Sequence, residues 1–119
     1  MLFPKVTDDK IANRLGCFYE EAEKCLSNNA WLSYSLMCAA IFEGLLYWKY
    51  KTKESLYSLT ENAYAENVID LHTKLIIDNV RNSRNLVHTN NYNDDYISRC
   101  KAMDIRTTMD KLIKEFDYN

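Results

Sequence analysis

Residues 36–48 read Leu-Met-Cys-Ala-Ala-Ile-Phe-Glu-Gly-Leu-Leu-Tyr-Trp, and Glu43 is the only charge among them. Wound as a helix, this run is apolar on nearly every side. A helix of that kind belongs in the centre of a core or at an oligomer interface. Its longest unbroken apolar piece, 36–42, is far too short to span a bilayer. Lys49, Lys51 and Lys53 follow, where cations suit a helix C-terminus, and they read as a solvated end. The spacing predicts a helix over 30–52, around which the rest of the chain must pack.

Upstream, Thr7 is a candidate N-cap with Asp8 and Asp9 in the first turn. Ile11, Leu15, Phe18, Ala22 and Leu26 then recur at helical spacing, predicting a helix that ends near Ser27-Asn28-Asn29. Downstream, 54–67 reads as a shorter helix. Asp70 caps a fourth, from Leu71 to about His88. Residues 89–93, Thr-Asn-Asn-Tyr-Asn, form a loop by composition. Asp94 and Asp95 are read as opening a last helix to Phe116, with a stripe of Ile105, Met109, Leu112, Ile113 and Phe116. Tyr96, Cys100 and Met103 fall on a different stripe of that helix.

The 119 residues fit one domain with one core. Two glycines and one proline are too few for the turns of an all-β fold. The expected class is therefore all-α, an antiparallel bundle of about five helices in a single domain over 1–119. A net charge of −2 argues against a broad nucleic-acid surface, so any RNA contact must be a local patch. The four cysteines, 17, 25, 38 and 100, form no C-x-x-C pair and no metal spacing. They read as free, mostly buried thiols, and no metal or other cofactor is expected. Neither a signal peptide nor a membrane segment is apparent, which predicts a cytoplasmic protein with no membrane partner.

On a wheel at about 100° per residue, Ile76, Val80, Ser83 and Val87 gather as the core face of the fourth helix. Arg81, Arg84, Asn85 and His88 stack along a flanking stripe at i, i+3, i+4 and i+7. Ile77 lies among them, an apolar residue that suggests a covering partner surface. His72 falls on the core side of the first turn and reads as structural. An arginine fork suits phosphate, an asparagine fixes a hydrogen bond, and an imidazole gives or takes a proton near neutral pH. These parts suffice for metal-free cleavage of RNA with the ribose 2′-OH as nucleophile. They equally describe a solvated helix face. Glu43 either orients an arginine or histidine of the stripe or reaches solvent at the edge of its helix. Trp31, Trp48 and the nine tyrosines could stack bases or fill the core.

The segment IIDNVRNSRNLVHT (76–89) resembles the signature of HEPN domains, helical bundles marked by an arginine, a polar residue such as asparagine, and a histidine after four to six intervening positions. AAIFEGLLY (39–47) is similar to that family's second helix and SLYSLTENAYAENVID (55–70) to its short third. The similarity extends loosely over 8–116. Arg81 precedes His88 with six residues between and Arg84 with three, so Arg81 and His88 are the formal pair, with Arg84 and Asn85 as companions. Some toxin members carry a tyrosine two positions after the histidine, where this chain has Asn90. The resemblance implies a homodimer with facing motifs and a metal-independent endoribonuclease. It further implies a toxin or antiviral defence effector, which in many cases is paired with a nucleotidyltransferase antitoxin or another defence protein. Some members are non-catalytic and bind a protein partner or a nucleotide.

Overall fold

The computed structural model describes residues 2–115, and the expected Phe116 contact lies outside them. The fold is an all-α bundle, with no strand among the described residues. Five α-helices follow in order: α1 (Asp9–Ser27), α2 (Trp31–Tyr50), α3 (Leu56–Ala65), α4 (Leu71–Asn82) and α5 (Arg99–Glu115). Two 3-10 segments, Ser83–Val87 and Thr89–Asn91, lie between α4 and α5.

The apolar run does set the architecture. α2 touches each of the other four helices, most extensively α1. Tyr34, Cys38, Ile41, Phe42, Leu45 and Leu46 are fully buried along it. Exclusion of that area from water is the main favourable term in the fold. A Cβ at Gly44 would overlap Leu15 Cδ2, so the missing side chain lets α1 settle closely on α2. Lys51 closes α2 in the left-handed region, φ 56°, and its N–H donates to the Tyr47 carbonyl at 2.7 Å.

Local chemistry fixes the other ends. At α1 the cap is Asp8, one residue later than expected. Its Oδ1 accepts the Lys10 and Ile11 N–H groups at 2.9 and 3.1 Å. Ser55 caps α3 through the Ser58 N–H. Asp70 caps α4 as expected, accepting the Thr73 N–H at 2.8 Å. That bond forms with the charged carboxylate and holds the Asp70 carboxyl below its usual range. A depressed folded-state value means that the stabilisation is complete above the unfolded value of about 3.9 and fades as pH falls through the folded value. Asp70→Ala is expected to cost about 1 kcal/mol at pH 7. The difference from the parent should narrow in acid denaturation series below about pH 4.

Four expectations about the core need correction. Ile77 is fully buried inside this chain and awaits no partner surface, while Val87, placed on the core face, is 57% exposed. His72 is exposed in the first turn of α4. The cysteines are free as expected, but Cys17 and Cys100 are exposed and only Cys38 is buried. Along α5, Ile105, Met109, Leu112 and Ile113 are buried as read from the stripe. That helix starts at Arg99 and not at the two aspartates, because the Ser98 hydroxyl accepts the Lys101 N–H at 3.2 Å and supplies the cap. Tyr96 therefore precedes the helix and is exposed, as is Cys100, while Met103 is half-buried. Among the described residues no helix is long and apolar enough to cross a membrane.

Candidate functional site

The expected fourth helix does not run to His88. It stops at Asn82, and the backbone tightens into the 3-10 turn Ser83–Val87. The reason lies in Ser83, which is buried against α2. Its Oγ hydrogen-bonds the Val80 carbonyl oxygen at 2.5 Å and Ser35 Oγ at 3.2 Å. A side chain that competes for helix carbonyls, flanked by Asn82, Arg84 and Asn85, favours an exit over another turn. The 3-10 turn has three residues per turn, so the wheel that aligned Arg81 with His88 no longer applies.

The four residues consequently separate. Arg81, on the last turn of α4, and Arg84, in the 3-10 turn, line one groove of about 390 Å³ between α2, α3 and α4. Asn85 instead borders a second cavity, about 560 Å³, together with Asn79, Asn82, Asp94, Asp95 and Lys101. His88 stands between the two 3-10 segments in extended backbone, φ −93°, ψ 117°, with its side chain exposed. The turn that carries it is tied down. The Asn91 side chain donates to the Asn85 carbonyl at 3.0 Å, and the Asn91 N–H donates to the His88 carbonyl at 2.9 Å.

Arg81 is the less free of the two arginines. Its side chain is 28% exposed, with a terminal nitrogen 4.0 Å from Asp78 Oδ1. Its guanidinium carbon lies 5.0 Å from the centre of the Tyr57 ring, a cation–π contact. Asp78 also binds Lys74 at 3.0 Å, and Lys74 reaches Glu61 at 3.2 Å. Those bonds, Asp78 first, raise the Lys74 ammonium above its usual value. Despite this network, Arg81 Nε and Asp78 Oδ1 are buried with no hydrogen-bond partner among the described residues. Arg84 is exposed and enters no ion pair among them.

Glu43 lines the same groove from α2, exposed, and forms no ion pair with either arginine. Its carboxylate is thus beside the basic pair without being bonded to it. Tyr57, which the sequence did not single out, faces this groove from α3. Only the α3–α4 packing brings it to Arg81, so no spacing along the chain points to it. Among the described residues, no three His, Cys, Asp or Glu side chains come together as a metal site. The chain matches no family model, no curated protein and no solved structure.

Proposed function

We propose that this chain is a metal-independent endoribonuclease of the HEPN type, a toxin or antiviral defence effector whose site is completed in a homodimer. One observation carries the reading. Arg84, exposed and in no ion pair among the described residues, shares a groove with Arg81 and lies four residues before an exposed His88 on a tethered turn. In the reaction the ribose 2′ oxygen attacks phosphorus, the bond from phosphorus to the 5′ oxygen breaks, and a 2′,3′-cyclic phosphate results. One group takes the 2′-OH proton and another protonates the departing 5′ oxygen. The chain's other histidine, His72, sits at the opposite end of α4. A two-fold dimer supplies a second His88, so that one imidazole acts as base and the other as acid. Arg84 offsets the charge that builds on the phosphate.

The test is cleavage of a labelled single-stranded RNA in EDTA, with oligomeric state measured at the same concentration. Arg84→Ala is expected to lower the rate about 100-fold or more while the melting temperature holds. Arg81→Ala also lowers stability, by about 1 kcal/mol, because its stem and guanidinium pack on Asp78 and Tyr57. Cleavage by a strict monomer would overturn the composite site.

A second reading has its own support: a non-catalytic module that binds a protein partner or a nucleotide. Arg81 is already engaged by Asp78 and Tyr57, and Asn85 borders a different cavity from the arginines. On that reading the protein cuts no RNA at any concentration and co-purifies with a partner such as a nucleotidyltransferase.

A further inference from the structure

The groove that holds Arg81 and Arg84 is built unlike a simple phosphate clamp. Its base is apolar and buried, with Ala39 and Leu56 nearly closed to solvent and Leu36 and Ala40 half-buried beside them. Its rim carries four exposed residues, Glu43, Ser55, Tyr57 and Arg84. The volume, about 390 Å³, lies inside the roughly 300–1,000 Å³ range typical of small-ligand sites. A phosphate would gain nothing from the apolar base and would be repelled by Glu43. A flat heteroaromatic ring suits that base, with its attached phosphates led out along Arg84.

Tyr57 supplies the surface for such a ring. It is 52% exposed in the first turn of α3. The Arg81 guanidinium carbon lies 5.0 Å from the centre of its ring, covering one face, and both side chains line the groove. An aromatic held in this way is a platform for a base in any sequence, since every base has a π face. A duplex cannot use it, because paired bases are already stacked on their neighbours.

Resting on the RNA-cutting reading above, we infer that Tyr57 is a base-stacking residue, with one unpaired base of the RNA seated in the groove against it. Tyr57 is then a positioning residue: it holds the base so that the adjoining phosphate lies at Arg84, and it takes no part in proton transfer.

Binding tests this apart from cleavage. The probe is a fluorescent 2′-O-methyl oligonucleotide, which lacks the nucleophile, used single-stranded and annealed to its complement. Stacking on one aromatic is worth about 5- to 150-fold in affinity by alanine substitution. Tyr57→Ala should weaken single-strand binding by about that factor, while Tyr57→Phe stays within about twofold because the ring remains. Tyr57→Leu, which keeps bulk without a π face, should behave like the alanine variant and guards against a packing effect. Duplex should bind more weakly than single strand and be indifferent to all three changes. Equal affinity of Tyr57→Ala and parent, or a loss in Tyr57→Phe as large as in Tyr57→Ala, overturns the proposal. If the parent protein cuts no RNA yet shows this ring-dependent binding, the cleavage reading fails and the base site stands. If it cuts RNA with no dependence on Tyr57, the base site alone fails.

Discussion

His88→Ala is expected to lower metal-free RNA cleavage by two to four orders of magnitude, the usual worth of a positioned acid or base, with the melting temperature unchanged. The second half of that expectation follows from the structure. His88 is exposed, in extended backbone, and the contacts holding its turn come from the Asn85 and His88 main-chain carbonyls and the Asn91 side chain and N–H. Removing the imidazole removes no packing. Surface changes of this kind usually fall within about 0.5 kcal/mol. His72→Ala is the matched control, an exposed histidine in the first turn of α4 whose loss should leave the rate as it was. The readout is the single-turnover rate in EDTA alongside a thermal melt. A His88 variant that cuts at the parental rate removes the catalytic assignment outright. One that loses activity and melting temperature together makes His88 structural.

The separation of the four candidate residues shows where sequence reasoning held and where it broke. From Leu71 to Asn82 the chain is helical as read, and Val80 and Ser83 are buried as the wheel required. Beyond Ser83 it fails, since a 100° step was carried past a residue whose own hydroxyl takes the Val80 carbonyl and bonds Ser35. Val87 is exposed and Asn85 and His88 are off the stripe for this one reason. Ile77 failed differently. The true buried face is centred on Thr73, Ile77 and Val80, one step round from the face drawn through Ile76, and an isolated wheel cannot locate its centre. The start of α5 was misread because Asp94, Asp95 and Ser98 can all cap a helix. Competition among them is settled by the pocket-lining Asp94 and Asp95 on one side and the Ser98 cap on the other. By contrast α2 was legible because its signal does not depend on phase: a run apolar on every side is central whichever way it is turned.

That centrality makes Phe42→Ala the substitution with the largest expected effect on stability. Phe42 is fully buried in the helix that touches all four others, so the space left behind is walled by several elements and cannot close by shifting one of them. Truncating a buried phenylalanine costs about 3–5 kcal/mol, part from lost transfer to the apolar interior and part from the cavity. For a domain of this size, that lowers the melting temperature by about 10–20 °C. Chemical denaturation should show a lower midpoint with an unchanged slope, since the surface exposed on unfolding is nearly the same. Glu43→Ala, one residue along and exposed, is the internal standard, expected within about 0.5 kcal/mol of the parent. The contrast between neighbours follows only if α2 is turned as described, with Phe42 inward and Glu43 on the groove. Equal losses at 42 and 43 would mean that the helix is rotated. Arg81, Arg84 and Tyr57 would then no longer share a groove with α2, and the base site and the arginine pair would fall with the packing that assembles them.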